Sequence, residues 1–109
     1  QGIGCSPGCI KAQVLVVENV QEIESAQDRI IVTKMTDPGW VYLLTQAKGV
    51  IAEQGSLLSH TAIISRELGI PSIVNVRGVC SQLQNGDWIE MDGLTGKIRL
   101  IKEEDHAGN

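Results

Sequence analysis

Residues 55–71 read GSLLSHTAIISRELGIP. Thr61, Ile64 and Leu68 recur at the spacing of one helical stripe, with His60 beside that stripe near the surface. Gly69 suits a left-handed C-terminal cap, and Pro71, two residues later, prevents continuation. The segment therefore predicts a helix from about Ser59 to Leu68, entered through a loop whose Gly55 gives backbone freedom and whose Leu57 and Leu58 can dock on a core. One histidine stands where loop becomes helix.

Outward from this helix, the apolar runs have the length and composition of strands. Gln13–Val20 (QVLVVENV), Arg29–Met35 (RIIVTKM), Val50–Glu53 (VIAE) and Ser72–Val76 (SIVNV) are rich in valine and isoleucine, and their continuous apolar character suits strands covered on both faces. Gln21–Asp28 is polar and predicts a short helix or turn. Asp37 as cap and Pro38 in the first turn, followed by Trp40, Leu43, Leu44 and Ala47 at i, i+3, i+4 and i+7, predict a second helix closed by Gly49. The glycine-rich Gly2–Gly8 (GIGCSPG) predicts a leading loop, Cys80–Leu83 a turn of helix, and Asn85-Gly86-Asp87 a turn. Trp88–Asp92 and Lys97–Ile101 alternate around Gly93–Gly96 (GLTG) and predict a β-hairpin. Helices and strands so interleaved, with parallel pairs in the middle, give an α/β class without internal repeats. Residues 1–109 are expected to form one domain, with 102–109 a frayed tail; Trp40 and Trp88 are assigned to the core.

Composition removes several function classes. The 109 residues carry nine Lys and Arg against thirteen Asp and Glu, a net charge of −4, which disfavours nucleic acid or an anionic membrane as main partner. No apolar run approaches the roughly 20 residues that cross a bilayer. Cys5, Cys9 and Cys80 are odd in number, and no second Cys or His pair completes a zinc set. They are expected to be reduced, packed thiols of a cytoplasmic protein. The chain opens on Gln1, consistent with an origin in a longer protein.

What chemistry could His60 perform? A helix start leaves amide N–H groups without partners and gathers about half a positive charge. Such a field disfavours the imidazolium and leaves a nitrogen lone pair for nucleophilic attack. A phosphoryl group taken up there would lie against the same N–H groups. A lone histidine at a helix start is more often only a hydrogen-bonding residue, so this chemistry does not by itself decide the function. Ser59 adjacent to His60 does not make a triad, since sequence neighbours diverge in direction. No His or Cys lies three or four residues from His60, so a metal site there is disfavoured. Asp92-Gly93 reads as a turn former, and Arg66 and Glu67 as a solvated helix face.

The stretch GSLLSHTAIISRELGIPSIV resembles the signature of the phosphohistidine, or mobile swivelling, domain of enzymes that use phosphoenolpyruvate, a family that includes phosphoenolpyruvate synthase, pyruvate phosphate dikinase and the rifampicin phosphotransferases. Cys5-Ser6-Pro7-Gly8, Met35–Trp40 (MTDPGW), Asn85-Gly86-Asp87 and Met91-Asp92-Gly93 through Gly96 are similar to further family segments, in order and over about residues 2 to 101. Ser56 stands where the family has a second glycine, Leu58 where several members have threonine, and Ser65 where alanine or glycine is usual.

The resemblance implies the swivelling β/β/α phosphohistidine fold, with mixed sheets, flanking helices and a C-terminal hairpin. It implies a phosphotransferase relay in which His60 accepts a phosphoryl group, with Gly55 and Ser59 shaping its loop; residue chemistry adds Ser59 and Thr61, whose hydroxyls can bond ring or phosphate oxygens, and Arg66, whose charge can favour an approaching anion, as the rest of the phosphate environment. It also implies partners: an ATP-grasp nucleotide domain and a second domain for phosphoenolpyruvate, pyruvate or another acceptor. The chain lacks a glycine-rich nucleotide loop and a carboxylate set for Mg²⁺, so no cofactor is expected here, and ATP and Mg²⁺ are expected on the partner domains. The alternative is a non-catalytic docking or regulatory module that retains the fold.

Overall fold

Arg29–Thr33 and Gly49–Ala52 combine β-branched or small residues with almost complete burial: Ile30, Ile31, Val32, Val50, Ile51 and Ala52 are all inaccessible to solvent. Such segments can hold their backbone polar groups only in the interior of a sheet. The computed structural model describes residues 2–17, 27–36 and 41–101, and within them these two strands are neighbours in a seven-stranded mixed sheet.

The strands are β1 (Ile3–Ser6), β2 (Cys9–Val16), β3 (Arg29–Thr33), β4 (Gly49–Ala52), β5 (Ser72–Val74), β6 (Trp88–Asp92) and β7 (Lys97–Ile101). The helices are α1 (Val41–Leu44), α2 (His60–Leu68) and α3 (Val79–Gln82). Spatial order is β1-β5-β4-β3-β2-β6-β7. The four central strands β2, β3, β4 and β5 are mutually parallel, as the buried runs require, and β1, β6 and β7 join antiparallel at the two sides.

The pleat sends alternate residues to opposite faces, which separates the core into two layers. Val14, Ile30, Val32 and Ile51 gather with Ile89 and Met91 on one face, closed by Val79 and Leu83 at α3. Leu15, Ile31 and Val50 face the other way, onto Leu43 and Leu44 of α1 and onto Ile64 and Leu68 of α2. The sheet also curls. β1 and β7 are opposite edges, yet the turn of the β6–β7 hairpin meets the β1 segment through Gly2 N–H donating to Gly96 O (3.1 Å) and Gly93 N–H donating to Gly8 O (2.8 Å).

The hairpin occupies the predicted residues. Its turn is held by Asp92, whose Oδ1 accepts from Leu94 N–H (2.9 Å) and Thr95 N–H (3.4 Å). The Leu94 amide, above all, holds this carboxyl below its usual range. The stability it contributes is therefore present above the unfolded pKa of about 3.9 and fades as pH falls through the lower folded value.

Four expectations need correction. Residues 3–6 form strand β1 instead of a loop, because an edge strand tolerates glycine that a central one does not. Strand β2 begins at Cys9, four residues before Gln13, where Cys9–Gln13 pairs with β6. Trp88 is half-buried, since β6 there faces only β2 and the end of β7. Cys9 is exposed on that strand, Cys5 is buried and Cys80 is half-buried; none of the three is in a disulfide. Of the predicted second helix, Val41–Leu44 is helical and Leu43, Leu44 and Ala47 are buried; its start at Asp37 and Pro38, with Trp40, lies outside the described residues, as do Gln21–Ala26 and residues 102–109.

Candidate functional site

Parallel strands place their outgoing loops at one edge, where ligand sites of α/β proteins gather. Here β3 and β4 continue to pair beyond their ends, Glu53 N–H donating to Thr33 O and Gln54 N–H to Lys34 O, both at 2.9 Å. This contact draws the segment after β3 alongside the loop that leads from β4 into α2.

The loop is built by local hydroxyl chemistry. Gly55 adopts φ +134°, a conformation L side chains avoid, and an added Cβ would lie 2.9 Å from Ser59 Oγ. Ser56 Oγ accepts from Leu58 N–H (3.2 Å), and Ser59 donates from its hydroxyl to Ser56 O (2.7 Å). The residue standing in place of a second glycine thus organises the turn. Ser59 is the N-cap of α2 by backbone geometry, with φ −72° and ψ 162°, but its hydroxyl is spent on Ser56 and makes no cap hydrogen bond. The first helical turn is thereby left without side-chain capping. At the other end Gly69, φ +75°, closes the helix in the left-handed conformation, with Ile70 N–H donating to Ser65 O.

His60 is the first residue of α2 and half-buried. Its Nδ1 lies 3.0 Å from Thr36 Oγ1, and Thr36 Oγ1 lies 2.7 Å from Thr61 Oγ1. Both threonines are buried, at 3% and 2% exposure. Nδ1 therefore faces inward, and Nε2 has no hydrogen-bond partner among the described residues. Thr61 turns its hydroxyl to Thr36 and away from the approach to the ring.

Arg66 sits two turns along α2 and reaches back. Its Nε donates to Cys5 O (2.9 Å) and its Nη2 to Leu57 O. The guanidinium thus ties β1 and the loop before His60 to the helix. Burial pushes the Cys5 thiol up, with Arg66 opposing this to a smaller degree, so it has no thiolate character to offer the site. Ser65, at the position where the family has alanine or glycine, donates to Thr61 O (2.7 Å) and shares a 2.6 Å contact with Ser72 Oγ on β5, so its buried hydroxyl is satisfied. Arg66→Gln cannot bridge both carbonyls, and the expected result is about 1 kcal/mol lower stability after solvent screening, read as a urea midpoint shift at unchanged slope. Faster amide exchange confined to residues 55–59 should accompany it; exchange at the wild-type rate would show that the clamp does not hold the loop.

Of the residues named from sequence, Gly55, Ser59 and His60 adjoin in one loop and helix start, while Thr61 and Arg66 support it from inside and from behind. Thr36 was not selected by sequence reasoning. It lies 24 residues from His60, and only the parallel β3–β4 pairing brings the two together. Its sequence signals are a hydroxyl just beyond a buried strand and its place in the family-like MTDPGW run, neither of which points to His60.

The family model for "PEP-utilising enzyme, mobile domain" matches residues 25–96. The chain belongs to this mobile-domain family. It is 39% identical over 101 residues to the uncharacterized phosphotransferase YvkC of Bacillus subtilis strain 168, covering 92% of this chain and 12% of that protein. To a probable phosphoenolpyruvate synthase of Pyrococcus horikoshii it is 36% identical over 99 residues, 90% of this chain and again 12% of the relative. The mobile domain thus spans about one eighth of the curated relatives it matches. Its fold resembles that of an Enzyme I protein solved by NMR, with TM-score 0.63 and 27% identity over 83% of this chain and 36% of that one. Among the described residues, no helix is long and apolar enough to cross a membrane.

Proposed function

We propose that the chain is a phosphoryl carrier within a larger phosphotransferase, and that His60 Nε2 takes up and releases the phosphoryl group. The observation that carries this reading is the ring's position: first residue of a nine-residue helix without a side-chain cap, half-buried, with Nδ1 engaged on buried Thr36 and Nε2 without a hydrogen-bond partner among the described residues. A dianion on Nε2 would meet the unpaired first-turn amides and the positive end of the helix. Gly55 and Ser59 shape the loop beside it, Thr61 fixes Thr36, and Arg66 holds the loop in place.

The division of labour follows. A phosphoryl transition state needs charge neutralisation, usually by Mg²⁺ and cationic side chains. Among the described residues no three His, Cys, Asp or Glu side chains converge on a metal position. We assign ATP and Mg²⁺ to an ATP-grasp partner domain and the final transfer to a second domain that binds phosphoenolpyruvate, pyruvate or another acceptor, in a cytoplasmic enzyme; the absence of a glycine-rich nucleotide loop from the sequence supports this reading. Either partner must come within bonding distance of Nε2; Leu57 and Leu58, expected from sequence to dock on a core, are instead exposed in the loop before His60, as is Ile63 one turn further on. Mobility of the small domain then replaces fixed proximity between the two centres.

The test supplies the chain with the catalytic domains of a phosphoenolpyruvate synthase whose own mobile domain has been removed, together with phosphoenolpyruvate labelled in its phosphoryl group. Acid-labile, base-stable label on the 109-residue chain is the expected result. Labelling of an authentic mobile domain but not of this chain would instead favour the docking module.

A further inference from the structure

We propose that Met35, Leu57, Leu58 and Ile63 form a docking face around His60, with Leu58 as its anchor, and that its occupant is an apolar recess on the phosphoenolpyruvate-binding domain of the parent enzyme. Eight large apolar side chains are exposed among the described residues, and four of them lie in the segments that build the His60 site: Met35 (58%), Leu57 (50%), Leu58 (82%) and Ile63 (45%). Exposed apolar residues scattered singly are ordinary, whereas a group of them marks a contact surface. Met35 directly precedes Thr36, whose hydroxyl touches the ring, and Gln54 N–H donating to Lys34 O (2.9 Å) lays that segment beside the loop. Ile63 follows His60 by three residues on α2, the spacing of neighbours on a helix surface.

The two leucines are held outward by hydrogen bonds. Ser59 N–H donates to Ser56 O (3.1 Å), closing a turn with Leu57 and Leu58 as its central residues. Ser56 Oγ accepts from Leu58 N–H, the Ser59 hydroxyl donates to Ser56 O, and Arg66 Nη2 donates to Leu57 O. A turn already ordered loses little freedom on docking, so burial of its side chains goes into affinity. What covers them follows from the carrier reading, on which this inference rests. The chain spans 12% of its phosphoenolpyruvate synthase relative, so most of such an enzyme lies outside it. A surface that brings phosphorus to the His60 ring comes against the segments on either side of that ring. A nucleoside triphosphate can extend its terminal phosphates beyond its pocket, whereas a three-carbon phosphate ester is enclosed by one. A protruding apolar turn fits the enclosed substrate, because it can enter the recess together with the ring. Leu58 leads because it has the most surface left to bury.

The test uses the phosphoenolpyruvate synthase catalytic domains and labelled donor described above, with initial labelling rates measured against the concentration of the 109-residue chain. Leu58→Ala should raise the half-saturating concentration about tenfold, the lower end of what burial of a leucine is worth, at an unchanged maximal rate. Leu58→Met, which keeps the bulk, should label like wild type. Labelling by potassium phosphoramidate, a donor too small to need docking, should be equal in Leu58→Ala and wild type. An unchanged half-saturating concentration in both Leu58→Ala and the Leu57→Ala/Leu58→Ala double variant refutes the docking face. Equal loss with phosphoenolpyruvate and with phosphoramidate would mean that the leucines only shape the loop. A defect confined to labelling from ATP would move the contact to the nucleotide domain, and a wild-type dimer that Leu58→Ala dissociates in sedimentation would give the face to a second copy of this chain. Each of these results overturns the proposal. A wild-type chain labelled by phosphoramidate but not through the phosphoenolpyruvate synthase domains also overturns it, while sparing the carrier reading; a wild type labelled by neither donor overturns both.

Discussion

His60→Ala is expected to abolish phosphoryl uptake while leaving the fold in place. The ring is half-buried and its one described hydrogen bond is to Thr36, so its removal strands a single hydroxyl hydrogen, at a cost of about 1 kcal/mol. Far-UV circular dichroism should be unchanged and the urea midpoint only slightly lower. Acid-labile label transferred from phosphoenolpyruvate should fall to background, since His60 is the only histidine among the described residues. The chain has two histidines, and the other, His106, provides the internal control: His106→Ala should label like wild type. Acid-labile label that persists in His60→Ala and disappears in His106→Ala would transfer the carrier role to the tail and end the present assignment.

The largest structural effect is expected at Gly93→Ala. A Cβ there would lie 1.9 Å from Ser6 O and 3.1 Å from both Ser6 C and Ser72 N. These are backbone atoms of β1 and β5, which cannot step aside as a flexible side chain could. The reverse contact is equally tight, because a Cβ on Gly4 would meet Gly93 O at 2.5 Å. The hairpin turn and the first strand therefore touch backbone to backbone, and one methyl group must part them. The loss should be about 3 kcal/mol, the upper end for overpacking, or a fall in Tm of about 15 °C. Against a total stability of about 5–15 kcal/mol this is a large fraction. Leu94→Ala, one residue on and 73% exposed, is the control and should change stability by less than about 0.5 kcal/mol. Equal melting of Gly93→Ala and wild type would mean that the curl of the sheet does not depend on this contact.

That contact also shows what could not be read from the residues. The GLTG segment predicts a hairpin turn from local chemistry, and the turn is found where predicted. Nothing local in GLTG says that it will rest on residues near position 6, because the approach depends on the summed twist of seven strands. The same limit explains β1. Its glycines argue against a central strand, and it is not central; they do not show that an edge place beside β5 stands open. Trp88 looked like core because of its size, but burial depends on what the far side of β6 faces, and there the sheet provides only partial cover.

Helix α2 is the opposite case. The Thr61–Ile64–Leu68 stripe, Gly69 and Pro71 carry face and stop in one continuous segment; the structure keeps the bounds and the Gly69 cap, which act through neighbours within one or two turns, while the buried residues are Thr61, Ala62 and Ser65, and Ile64 and Leu68 are half-buried against the core. The parallel order of the central strands was likewise legible, since fully apolar short runs separated by helical segments have few other ways to cover both faces.

By itself, then, the sequence determined the local elements, the α/β class and the placement of His60 at a helix start, because these follow from periodicity, capping and composition over a few residues. The tertiary structure decided which nitrogen of that histidine is engaged inside the protein. That depends on Thr36, a residue distant along the chain and brought into contact by the register between β3 and β4, and pairing across strands is a property no single segment carries.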